Sequence, residues 1–237
     1  MSMAALEAYR LDPLLAEANA AMGLVLARDL HWMEAQQFFA KALSMNPSDT
    51  TVHTDAVTYL LLPLGRLDEA MDLLEAASSV DPLSLHVPRT LAHIQVEAGM
   101  FEEAIRTARS VLERDPTFPF TRISLGRAQA LSGRHDEALA NFKQEGRDGS
   151  AYMGHVYAMT GRRAEAEVLA ANEDLRPAIQ FLIYGSLGDK DRAFEALKRT
   201  FDRNPWRAAT WMMRPEVKIL RDDPRFGEIR RQLRIPN

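Results

Sequence analysis

Apolar positions recur along the chain at helical rather than strand spacing. Phe38, Phe39, Ala42 and Leu43 fall at i, i+1, i+4 and i+5. Ile105, Ala108, Val111 and Leu112 fall at i, i+3, i+6 and i+7. Each set puts its apolar side chains on one face of a helix and leaves the opposite face polar. No stretch rich in Val, Ile and Thr alternates at period two for long enough to pair into a sheet. The pattern predicts an all-α chain.

The helices are punctuated by one short phrase. It reads GRLDEA at 65–70, GMFEEA at 99–104, GRHDEA at 133–138, GRRAEA at 161–166 and GDKDRA at 188–193. An earlier copy, LHWMEA at 30–35, lacks only the glycine. The closing alanines, Ala35, Ala70, Ala104, Ala138, Ala166 and Ala193, are 35, 34, 34, 28 and 27 residues apart. A second marker keeps the same phase: Asp12-Pro13, Asn46-Pro47, Asp81-Pro82 and Asp115-Pro116, with Asn204-Pro205 closing the series. Two independent markers in one period identify a repeat array.

The phrase has the chemistry of a helix hairpin. Glycine ends a helix in the left-handed conformation without Cβ strain. The acids behind it enter the first turn of the next helix, at the positive end of its dipole. Alanine lets two helices approach closely, and proline closes the second helix before the next hairpin. Gly23, Thr58, Ala92, Gly126 and Gly154 stand twelve residues before five of the alanines and are expected where the first helix of a unit crosses the second.

These residues resemble the tetratricopeptide repeat family over roughly residues 3–205. The resemblance implies an α-α superhelix of about five to six hairpins, with units near 16–49, 51–84, 85–118, 119–146, 147–173 and 174–205. The large aromatic usual early in the first helix is replaced by Asn19, Thr54, Pro88, Arg122 and Ser150. The last two units are short, so abbreviated helices and a less regular superhelix are expected after Gln144. Residues 1–13 read as the second helix of a unit whose first helix is missing, which is expected if the chain is cut from a longer one. Residues 206–237 read as a capping pair of helices. Asp223 is placed to cap a helix starting at Pro224, with Phe226, Ile229 and Leu233 as its apolar stripe. This tail, with the GDKDRA phrase, looks like the end of tetratricopeptide regions in multidomain bacterial signalling proteins, where such arrays follow a DNA-binding, nucleotide cyclase or kinase domain. Arg214 departs from that pattern, which usually has Asp there.

Composition narrows the function. The chain has no cysteine, so disulfides and thiolate chemistry are excluded and a cytoplasmic location is compatible. The apolar stretch 177–188 has 12 residues, short of the roughly 18 that a membrane helix needs. Residues 1–83 carry 12 acids and 4 bases, and residues 84–237 carry 21 acids and 25 bases. Neither part is basic enough to argue for nucleic-acid contact. The six histidines form no H-E-x-x-H, and no phosphate-cradling glycine loop or G-x-S-x-G elbow is present. No catalytic residue, cofactor or metal is expected, and a protein or peptide partner is.

In the resembled family the first helix of each hairpin lines the inner wall. Carried over, this places Asp55 and Tyr59, then His86, Arg89 and His93, then Phe120, Ile123 and Arg127, then Tyr152 and His155 on that wall. Arginine suits a two-point grip on a carboxylate, and aromatic residues add apolar anchors. Arg89 and Arg127, with His93, are therefore expected to receive an acidic or carboxylate-ended peptide, unless those arginines pair with acids of the array itself. The alternative reading is an oligomerisation scaffold or free-standing adaptor.

Overall fold

The computed structural model describes residues 3–236, apart from the side chains at positions 147, 148, 150 and 151. Among these residues there is no strand. A first helix, α1 (Met3–Leu11), is followed by α2 (Ala16–Arg28) and α3 (Trp32–Met45), then α4 (Thr50–Ala56), which runs on into a π-helical turn (Val57–Leu61), and α5 (Leu67–Val80). Next come α6 (His86–Glu97), α7 (Phe101–Arg114), α8 (Thr121–Leu131), α9 (His135–Gln144), α10 (Arg147–Met159), α11 (Arg163–Ala170), α12 (Pro177–Ser186) and α13 (Lys190–Arg203). The chain ends with α14 (Pro205–Met212), a 3-10 turn (Pro215–Leu220) and α15 (Pro224–Gln232).

Helices α2 to α13 pack as consecutive hairpins, and the first helix of each hairpin also packs on the first helix of the next. The all-α superhelix expected from the repeat is the observed architecture. Its regularity comes from the turn. Gly65, Gly99, Gly133, Gly161 and Gly188 all take left-handed φ, from 72° to 85°. At Gly99 the turn is closed by Gly99 N–H to Val96 O (3.1 Å) and Met100 N–H to Gln95 O (2.8 Å). Leu30, in the copy without glycine, adopts φ 63° and makes the same two bonds, to Ala27 O and, from His31, to Leu26 O. The turn is thus imposed by the flanking helices even where the residue is strained in it.

The small residues at the crossings act in two ways. A Cβ on Gly23 would lie 3.0 Å from the Phe39 ring, and one on Gly126 would lie 2.5 Å from the Phe142 ring, so both glycines admit an aromatic from the second helix of their own hairpin. Gly154 differs, because its close neighbour is Ile183 of α12, in the following hairpin. The shortening after Gln144 falls on α11 (8 residues) and α12 (10 residues), whereas α13 keeps a full 14. At the other end, α1 packs through Ala5, and through Tyr9 edge-on to Phe38 at 5.2 Å.

The C-terminal segment does more than cover the last hairpin. It folds back across the concave side and reaches the first two hairpins. Asn204 and Asp223 cap α14 and α15 by accepting from Arg207 N–H (2.9 Å) and Arg225 N–H (3.1 Å). Each of the three elements begins with proline, whose fixed φ suits a helix start. The Trp32 indole of α3 donates to Leu233 O at 2.9 Å. The Trp206 indole donates to Tyr59 O at 3.0 Å, and the two rings stack at 4.9 Å.

This second bond has a local cause. In a regular helix Tyr59 O would accept from the N–H of residue 63, but that residue is proline and has none. The helix responds with the π turn at 57–61, closed by Leu62 N–H to Val57 O at 2.9 Å, and Trp206 satisfies the freed carbonyl. Trp206→Phe keeps the stacking ring and leaves that carbonyl without its donor. We expect it to cost about 1–3 kcal/mol, read as a lower urea midpoint with an unchanged slope.

Candidate functional site: the concave face

The wall residues expected from sequence divide into a buried floor and an open rim. On the floor lies Arg127 of α8, 1% exposed. Its Nε and Nη2 donate to the two oxygens of Glu216, at 2.6 and 2.9 Å. Its Nη1 donates to Glu97 Oε1 of α6 at 2.8 Å. The two-point grip on a carboxylate expected of Arg127 is therefore present, but the carboxylate belongs to the chain's own 3-10 turn. Burial works against charge on both partners. The mutual attraction outweighs it, holding the Arg127 guanidinium well above and the Glu216 carboxyl well below their ordinary pKa values. Both stay ionised at neutral pH.

Other floor residues surround this pair. His93 Nδ1 lies 3.4 Å from Arg127 Nη1, and its Nε2 lies 3.7 Å from Glu97 Oε1. Burial, then the charges of Arg127, Arg214 and Arg89, push its pKa well down, so it is the neutral ring that accepts from Arg127. Tyr152 is buried against Trp211 (6.2 Å between ring centres), and its hydroxyl accepts from Arg214 Nη1 at 3.3 Å. The Arg214 guanidinium lies over the Trp211 ring at 3.8 Å. The arginine that departs from the resembled tails thus joins the tail to the floor. Tyr59, partly buried, is the base for Trp206.

His155 is buried in α10 with Nδ1 2.6 Å from Ser186 Oγ. Ser186 already donates to Leu182 O (2.7 Å), so Nδ1 carries the proton and donates to it. Nε2 is left buried with no partner among the described residues. Burial is the main cause that lowers this histidine from 6.5 to about 4, with Arg127, His135 and Arg214 adding to it and Glu216 opposing. Between those two values the unfolded chain binds a proton that the folded chain refuses. Stability therefore rises with pH through this window and is lost as pH falls from about 6.5 to about 4. The loss is about 3 kcal/mol from His155, and His93 adds to it in the same direction. Urea unfolding at several pH values checks this, with His155→Leu expected to flatten the slope.

The rim is different. His86 is exposed at the start of α6 and meets Phe118 edge-on at 5.1 Å. Phe120, 54% exposed, holds left-handed φ 61° immediately before α8, with its N–H bonded to Glu145 Oε1 at 2.8 Å. Arg89 follows His86 by one turn and is partly buried. Its Nη2 donates to Thr90 Oγ1 at 3.0 Å, and among the described residues no carboxylate pairs with it. Burial lowers its pKa from the ordinary arginine value, as expected for a guanidinium without a counter-charge. Ile123 is partly buried; so is Asp55, whose pKa is raised by burial and then by Asp49.

Arg89 and Arg127 are therefore not a pair presented to one ligand. The residues that close the floor, Glu97, Trp206, Trp211 and Glu216, lay outside the expected wall set. The sequence signals for them were the tryptophans in the tail and the proline at 63. Among the described residues no cluster of His, Asp or Glu is arranged to hold a metal, and no helix is long and apolar enough to cross a membrane.

Comparison with known proteins agrees with this architecture. Residues 61–119 and 119–140 match two tetratricopeptide repeat models. No curated protein matches the chain in sequence. A tetratricopeptide repeat protein from Parabacteroides merdae ATCC 43184 aligns over 97% of this chain and 90% of its own, with TM-score 0.69 and 16% identity. Pseudomonas aeruginosa pilF aligns over 96% and 86%, with TM-score 0.51 and 15% identity. YrrB, a TPR protein with an unusual peptide-binding site, aligns over 82% and 98%, with TM-score 0.49 and 20% identity. The first two likenesses are of fold. The chain has the fold of a tetratricopeptide-repeat solenoid, and its residues 61–140 match that family in sequence.

Proposed function

We propose that the chain is a non-catalytic protein-binding module whose open rim, centred on Arg89 with His86 and Phe120, takes an acidic or carboxylate-ended segment of a partner. Tetratricopeptide-repeat solenoids are protein-interaction modules, which supports that class. The observation that carries the finer reading is the unpaired Arg89. Half-burying a guanidinium without a counter-ion is costly, and a partner carboxylate would relieve that cost by a charge-assisted, two-point bond. The rim sits at the starts of α6 and α8, whose dipoles also favour an anion, and exposed Phe120 supplies an apolar anchor.

The setting belongs to the same proposal. The tail's likeness to bacterial signalling proteins favours a cytoplasmic regulator, in which this module receives the partner and another domain acts. A probe for the rim is a fluorescent peptide of acidic residues with one aromatic, compared with its glutamine analogue. We expect the acidic peptide to bind the full chain. Arg89→Ala should weaken it at least tenfold, and Arg89→Lys should not restore it, because lysine cannot make the two-point bond. Equal affinity for Arg89→Ala and the unaltered chain would remove the rim as the site.

A further inference from the structure

A second surface lies between α13 and α15, on residues that the concave-face reading does not use. Phe194, Phe201 and Ile229 form the floor of a groove of ≈ 390 Å³. Its rim carries Glu195, Asp202 and Glu228, with exposed Lys198 between the first two along α13. Those three carboxylates are exposed and make no ion pair or hydrogen bond among the described residues. At one end Arg225 is already neutralised, bonded to Asp191 at 2.8 Å and to Asp223 at 2.9 Å. The groove is therefore apolar below and, with four acids against Lys198 and Arg225 in its lining, net negative above. Asp202 also lies in the last turn of α13, where the helix dipole disfavours an acid. A nearby cation would relieve that repulsion as well.

We propose that this groove docks a basic amphipathic helix of a partner protein. Apolar side chains of such a helix, spaced at i, i+3 and i+4, would fill the floor, as in other helix-in-groove complexes. Lysines or arginines flanking that stripe would meet Glu195, Asp202 and Glu228. Helix α13 has 14 residues and so is about 21 Å long, enough for about four turns of a docked helix. The concave face and its Arg89 rim favour the opposite charge, so the two surfaces would select different segments.

The test uses the full chain and a labelled amphipathic Leu–Lys peptide of about 14 residues, matched to α13 in length, with its Leu–Glu analogue as control. Anisotropy is read at low and at physiological salt. The Leu–Lys peptide is expected to bind and the Leu–Glu peptide not to bind. Combined Glu195→Lys, Asp202→Lys and Glu228→Lys should weaken binding at least tenfold. The same charge change made elsewhere, at exposed Asp72, Glu75 and Glu113, should leave it within twofold. Absence of binding by the unaltered chain, or equal loss in both variants, would overturn the groove. A dimer in light scattering that the groove variant dissolves would overturn the partner helix in favour of a second copy.

Discussion

Replacing Arg127 by methionine lowers the stability of the chain by about 3–5 kcal/mol, the cost of breaking a buried ion pair from one side. The geometry gives the reason. Glu97 and Glu216 have side chains no more than 1% exposed, and both depend on this one guanidinium. Without it two carboxylates stay buried, unpaired and close together. They must take up protons or draw the tail away from the floor. For a chain of this size the loss corresponds to a fall in melting temperature of about 10 °C, measured by circular dichroism. Adding Glu97→Gln and Glu216→Gln to Arg127→Met should recover part of the loss, because the buried charges are then gone. Arg89→Ala is expected to cost nothing comparable, since no carboxylate depends on it. A similar loss from both substitutions would contradict the division into floor and rim.

The second large effect is at Trp211. Trp211, 5% exposed, stacks beside the Tyr152 ring, and the Arg214 guanidinium packs against both rings, 3.8 Å from Trp211 and 5.6 Å from Tyr152. Trp211→Ala is expected to cost about 3–5 kcal/mol, as for other buried aromatic truncations. The cavity opens between the tail and α10, where neighbouring helices cannot collapse to fill it. Fluorescence reports on the same event. Trp206 and Trp211 are in the tail and Trp32 touches it, and the chain has no other tryptophan. The emission of Trp211→Ala therefore follows the tail's release directly. If the remaining two indoles stay buried while stability falls, the tail is held from its ends and the Trp211 contact is only local.

Much of the fold was legible because its signals are local. The glycine of each phrase stands where φ must be positive, and the acids behind it stand where the helix dipole is positive. Even the copy without glycine was informative, since Leu30 takes the turn that the phrase predicts. Shortened spacing after Gln144 located the irregular units, but it could not say which helix lost the residues, and α13 lost none. The concave face was less legible, because its contacts join residues far apart in sequence. Arg127 pairs with Glu216 across 89 positions, and Trp32 with Leu233 across 201. No periodicity encodes such a pair. The residue type was readable, since arginine did grip a carboxylate. Its owner was left open between a partner and the array's own acids, and for Arg127 the second holds, with Glu97 of α6 and Glu216 of the tail. Beside the tail tryptophans, Pro63 was a local sign, because a missing N–H in a buried helix demands a donor from elsewhere.

The C-terminal helices are a fixed part of the solenoid, closing its floor and leaving the Arg89 rim open. Native-state hydrogen exchange with mass spectrometry tests this most directly, by comparing amides of α14 and α15 with those of α8 and α12. Both groups are expected to exchange only through global unfolding, with the same dependence on urea. Exchange of α14 and α15 through a low-cost local opening, while α8 and α12 stay protected, would contradict it and return the whole concave face to the partner.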